Sequence, residues 1–159
     1  MIRLNLGCGD KILDDYINVD LYNELAEVKA DVIDLPFPDG YADEVLSSHV
    51  IEHFDFHEGM KALKEWHRIL KDGGKLVVEC PNLLALCEIF IKADEAERVS
   101  MYPQFFGSPW IPGHLHKFVY TPAQMYWTLE SLGFKDIRQV LPQFYWNITD
   151  RCMRFECNK

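Results

Sequence analysis

An α/β fold, in which helices pack on a mostly parallel sheet, is the class this 159-residue sequence predicts. Two short alternating segments near its start are split by a glycine turn, acids close successive strand-like segments, and capped helices separate the later apolar runs.

Strand one is expected over about Ile2 to Leu6, where Ile2, Leu4 and Leu6 alternate with Arg3 and Asn5. Gly7 and Gly9 end it, and glycine there allows positive φ and a close approach of a ligand to the main chain. Strand two, Tyr16 to Asp20, follows after only Gly7 to Asp15, too short a connection for a full crossover helix. After two short turns over Tyr22 to Val28, Ala30 to Asp34 is expected as strand three, again ending in an acid. Leu35-Pro36-Phe37-Pro38-Asp39-Gly40 is punctuated by prolines and is expected as a loop. Asp43 to Ser48 reads as strand four and runs into a polar mouth from His49 to His53.

From His57 to Leu70 the apolar Met60, Leu63, Trp66 and Leu70 recur at three and four, and Lys71-Asp72-Gly73-Gly74 supplies the stop. Lys75 to Cys80 is a Val-rich fifth strand ended by Pro81, after which Asn82 can cap a helix from Leu83 to about Ala93. Arg98 to Lys117 has no period, holds three prolines and two glycines among Tyr102, Phe105, Phe106 and Trp110, and is expected as a lid or acceptor-binding segment. Thr121-Pro122-Ala123-Gln124 starts a helix that Gly133 ends. Phe134 to Leu141 and Arg151 to Cys157 are the last two strands, joined by a loop with Phe144, Tyr145 and Trp146. No linker or repeat divides the chain, so residues 1–159 are expected as one domain.

The net charge of −9 opposes phosphate backbones, so nucleic acid is not expected as a partner. No basic-then-apolar leader opens the sequence and no apolar run approaches ~20 residues, so neither secretion nor membrane insertion is expected. Five cysteines without a Cys-x-x-Cys pair read as reduced thiols, and the expected compartment is the cytoplasm.

Leu6-Gly7-Cys8-Gly9, Asp20, Asp34-Leu35-Pro36-Phe37, Ser47-Ser48-His49-Val50-Ile51-Glu52-His53 and Arg68-Ile69-Leu70-Lys71-Asp72-Gly73-Gly74 together resemble the class I S-adenosylmethionine-dependent methyltransferases, in their small type-11-like form. The resemblance implies a Rossmann-like three-layer sandwich of seven strands with an antiparallel last strand, here with reduced flanking helices. It implies that Leu6, Gly7, Cys8 and Gly9 pass under the methionine part of S-adenosylmethionine, and that Asp20 and the adjoining Leu21 hold the ribose. Asp34 and the Leu35 backbone would then read adenine, and Ser48 and His49 would line the methyl. The sequence departs from that pattern at Asn5, where the family has an acid, and at Lys11, where it has a third glycine. It also opens at strand one without the family's leading helix, so residues 98–117 or a second subunit are expected to cover the cofactor. A homodimer is a further expectation, since Ile2, Leu4, Leu6, Ile17 and Val19 would lack cover on one side.

Methyl transfer from a sulfonium needs alignment and exclusion of water, and a hydroxyl acceptor also needs a base, for which histidine is suited. His114, His116 and His49 are the candidates, and a small polar acceptor, a saccharide or nucleotide-sugar hydroxyl, is the expected substrate. No metal is expected, because no Cys or carboxylate flanks His114-Leu115-His116 at a diagnostic spacing. Two other classes stand beside this one: a non-catalytic S-adenosylmethionine-binding regulator or partner, and a dinucleotide oxidoreductase. The latter wants a third glycine and a full helix after the turn, and the sequence has neither.

Overall fold

The computed structural model describes residues 1–143 and 149–159. Seven strands form one sheet: β1 (Arg3–Leu6), β2 (Ile17–Asp20), β3 (Val28–Lys29), β4 (Ala42–Ser48), β5 (Leu70–Pro81), β6 (Lys135–Val140) and β7 (Cys152–Asn158). Their order is β3-β2-β1-β4-β5-β7-β6; β7 alone runs antiparallel to its neighbours, as expected. The parallel strands therefore end together, and the turns after β1, β2 and β4 meet along that edge.

Helices α1 (Phe56–Ile69), α2 (Leu83–Lys92), α3 (Glu95–Phe106) and α4 (Pro122–Ser131) complete the fold. Their starts are local chemistry. Asp55 and Glu58 form a capping box at α1, the Asn82 side chain accepts from Leu84 and Ala85 at α2, and Thr121 accepts from Gln124 with Pro122 opening α4. The apolar stripe of α1 (Ala62, Leu63, Trp66, Ile69) packs in one core with Leu4, Leu6, Val19, Val45 and Leu76.

Three expectations need correction. The third strand is Val28–Lys29, not Ala30 to Asp34: Asp31 turns the chain by accepting from Ile33 through its side chain and from Asp34 through its carbonyl. Trp66 fixes that turn by donating its indole N–H to the Val32 carbonyl at 3.0 Å. The expected lid is half helix, because Asp94 caps α3 by accepting from Glu97 and Pro103 sits in its last turn, with only 107–117 left as loop. The Lys71 to Gly74 stop is a bulge inside β5, which pairs with β4 on both sides of it. Of the apolar residues expected to lack cover, Leu4, Leu6 and Val19 are fully buried within the single chain, whereas Ile2 and Ile17 are partly exposed.

The opposite face of β1 and β2 is closed by polar groups. Asn5, 5 % exposed, donates to Lys11 O and to Asn18 Oδ1; fully buried Asn18 also accepts from Leu13 N–H and donates to Leu13 O. The connection too short for a helix is thus pinned flat against the sheet. The loop expected around Phe144, Tyr145 and Trp146 lies outside the described residues. No helix among the described residues is long and apolar enough to cross a membrane.

Candidate active site

The turn after β1 is built around two glycines. Gly7 has φ +64°, and a Cβ there would lie 2.4 Å from Val50 Cγ2, so only glycine fits. The N–H groups of Gly7 and Cys8 both donate to Val19 O, which holds the turn on the tip of β2. Gly9, with φ +50°, faces open space: a Cβ would meet nothing within 4 Å. Its N–H donates to Asp20 Oδ2 at 2.9 Å, while Asp20 Oδ1 accepts from Tyr22 and Asn23. Three backbone donors thus orient one carboxylate at the tip of β2. Asn23 adds a side-chain bond to the Gly9 carbonyl.

Of the other expected cofactor residues, Leu6 is buried in the core, Cys8 is buried, and Leu21 is exposed. Burial, joined by the Asp20 and Glu27 charges, pushes the Cys8 thiol up to about 11. Leu35 is buried with its N–H already given to Glu65 Oε1 at 2.8 Å, and Asp34 is exposed on the far side of the turn from β3. Ala30 N–H reaches Asp20 O, so Asp31 is the acid brought beside the β2 tip.

Beyond β4 and β5 lies a cavity of about 240 Å3, lined by His49, Glu52, His53, His114, His116 and Arg151 among others. The 3₁₀ turn Ile51–His53 after β4 supplies Glu52 and His53, and the loop after α3 supplies His114 and His116. Gly107 (φ +72°) closes this loop by pairing with Leu115; a Cβ on it would lie 1.9 Å from His114 O. Lys117 and Phe118 N–H both donate to Glu52 O, which ties the histidine loop to the turn after β4. Gln104 Oε1 and Glu97 Oε1 accept from Arg151, fixing α3 to the start of β7.

His49 follows Ser48 at φ +57° and donates Nδ1–H to Glu52 Oε1 at 2.9 Å, with its Nε2 3.6 Å from Cys152 Sγ. Burial lowers its pKa, but the Glu52 carboxylate outweighs burial and carries it up to about 10. Burial works against Glu52 as well, yet the His49 charge and hydrogen bond hold its carboxyl below the usual range. His49 is therefore an imidazolium at neutral pH. His116, mainly through burial, and His114, through burial and the nearby His53, are pulled below the ordinary histidine range. The ring centroids of His53 and His114 are 5.5 Å apart, and those of His53 and His116 are 5.1 Å apart. The structure thus joins all three histidine candidates in one cavity with Glu52 of the expected mouth and Gln104 of the expected lid segment, and adds Arg151 and Cys152, which were not expected there from sequence.

Residues 4–78 match a family described as a methyltransferase domain. A candidate methyltransferase of Encephalitozoon cuniculi is 46% identical over 52 residues, which cover 32% of this chain and 25% of that protein. The aligned stretches cover about a quarter of the length of the curated relatives they match. Among solved structures, a SAM-dependent methyltransferase from Archaeoglobus fulgidus superposes with a TM-score of 0.66 at 21% identity, over 99% of this chain and 85% of that one. The 1,6-didemethyltoxoflavin-N1-methyltransferase of Burkholderia thailandensis, solved with S-adenosylhomocysteine, gives 0.67 at 14% identity, over 99% and 70%. With its glycine turn, its acid at the β2 tip and its antiparallel β7, the chain has the fold of these S-adenosylmethionine-dependent methyltransferases, and residues 4–78 carry its match to the methyltransferase-domain family.

Proposed function

We propose that this chain binds S-adenosylmethionine over the Gly7 to Gly9 turn and methylates a small polar acceptor held in the cavity. The observation that carries this reading is the junction of the two spaces. Gly113 packs against the Tyr22 ring beside Asp20, where a Cβ would come within 2.7 Å, and the next residue, His114, lines the cavity. The residues fit the cofactor: Gly9 opens toward empty space, and Asp20 is preset as an acceptor for the two ribose hydroxyls. For the adenine amino group Asp31 is read in preference to Asp34, supported by the Ala30 N–H bond to Asp20 O that brings its neighbour Asp31 to the β2 tip. Bound there, S-adenosylmethionine supplies a methyl group on a sulfonium.

The chain's own part is positioning and a proton. His114 is the base, since no hydrogen bond engages its ring among the described residues and its lone pair is free to take the acceptor's hydroxyl proton. His49 is already protonated against Glu52, and His116 is held by Gln104. Loop 107–117 shuts water out and holds the acceptor in line, which can lower the barrier by ~7 kcal/mol or more. At about 240 Å3 the cavity is below the ~300–1,000 Å3 usual for ligand sites, which suits a single ring. Gln104, Ser108 and Arg151 on its wall suit hydroxyls, supporting a saccharide or nucleotide-sugar acceptor. The test is S-adenosylhomocysteine formation over a panel of metabolites, with His114→Ala as the comparison. Turnover on a hydroxyl acceptor that the variant loses supports the reading; binding of the cofactor without turnover on any acceptor favours a regulator.

A further inference from the structure

We propose that Glu52, His53 and His116 form a site for one divalent transition-metal cation, of the zinc type, on the wall of the cavity. One carboxylate oxygen and one ring nitrogen from each histidine lie within 4.8 Å of one another. Bonds of ~2.0–2.1 Å to a tetrahedral ion put ligand atoms about 3.3 Å apart, so side-chain movements of an ångström or so would close the set.

The hydrogen bonds around the three residues already suit a metal. His53 Nδ1 lies 3.2 Å from Leu115 O, and His116 Nδ1 lies 3.1 Å from Gln104 O. A carbonyl only accepts, so each Nδ1 carries the proton and each Nε2 keeps a lone pair. A backbone carbonyl behind the imidazole is the arrangement that orients metal-bound histidines. Glu52 is fully buried: Oε1 is held by His49, while Oε2 has no hydrogen-bond partner among the described residues. A buried carboxylate oxygen left without a donor is unfavourable, and a cation would remove that cost. Two imidazoles and a carboxylate are a donor set that suits zinc and leaves a position open toward the cavity. The carboxylate comes from the turn after β4, far from the histidines in sequence, which is why the spacing around His114-Leu115-His116 gave no sign of it. A cation there could also hold an oxygen of the acceptor. That second role rests on the methyl-transfer reading, whereas the binding itself does not.

The test is calorimetric titration of the untagged, chelator-treated chain with Zn2+, without S-adenosylmethionine, together with the visible spectrum of the Co2+ form. The site predicts one ion per chain and the intensified Co2+ bands of a tetrahedral centre. His53→Ala and His116→Ala should each weaken Zn2+ binding by more than the ~10- to 100-fold that loss of a supporting hydrogen bond costs. His57→Ala, exposed on α1, should leave it unchanged. Absence of saturable binding in the parent chain, or affinity unchanged from the parent in both ligand variants, overturns the site. Because no methyl transfer is read, failure here is separate from failure of the methyltransferase assay.

Discussion

His49 Nδ1 lies 2.9 Å from Glu52 Oε1, and the two side chains are only 14 % and 1 % exposed. Removing one member of a buried ion pair strands the other and costs ~3–5 kcal/mol. His49→Ala is therefore expected to lower unfolding stability by about that amount, measured in urea, with Tm falling by roughly 6–20 °C. A loss below about 1 kcal/mol would show that water screens the pair.

Asp20 is the second place where one side chain carries a large share of the work. Its carboxylate is oriented by three N–H groups, and hydrogen bonds to a charged group are worth ~1.5–3 kcal/mol. Asp20→Ala should weaken S-adenosylhomocysteine binding by ~10- to 150-fold in calorimetry. Equal affinity in the variant would remove Asp20 from the cofactor site.

At the first turn, Gly7→Ala combines a positive φ with a Cβ 2.4 Å from Val50 Cγ2. Backbone strain of ~1–2 kcal/mol and overpacking of ~1–3 kcal/mol should both appear in chemical denaturation. Adding Val50→Ala should return the overpacking part, giving a coupling of ~1 kcal/mol or more in a double-mutant cycle. Strict additivity would mean that the turn moves aside.

The pH dependence of stability is expected to carry a mark of His67, whose ring stands edge-on to Phe134 at 4.9 Å. Burial first, then the Lys159 charge, lowers its pKa from 6.5. With the folded value below the unfolded one, the unfolded chain binds the extra proton, so this contribution is complete above about 6.5 and is lost as pH falls through the lowered value. His67→Gln should flatten the stability profile between those limits. An unchanged difference between the two proteins from pH 5 to pH 8 would exclude the effect.

The helix caps at Asn82 and Thr121 and the stop at Gly133 could be read from sequence because they are settled within a few residues. The third strand could not, since the Asp31 side chain makes a turn where the apolar pattern alone suggests extension, and Trp66, distant in sequence, fixes it. Helix α3 lay hidden because Pro103 reads as a breaker, although Asp94 caps its start. At the site, the glycine turn and Asp20 are local signals, and His114 and His116 stand out as a pair. Their meeting with Glu52 and His49 depends on Lys117 and Phe118 bonding to the Glu52 carbonyl, a contact that no local pattern encodes.

That carbonyl bears on how such a domain can be re-engineered. Glu52 meets the histidine loop with its main chain and the cavity with its carboxylate, so the loop's return point and the cavity's charge are held by a single residue. A segment of different length transplanted between Gly107 and His116 keeps its anchor on the sheet, provided that its exit still delivers two amide hydrogens to Glu52 O. Swaps that begin or end beyond Lys117 would remove the amide hydrogens that tie this loop to the turn after β4.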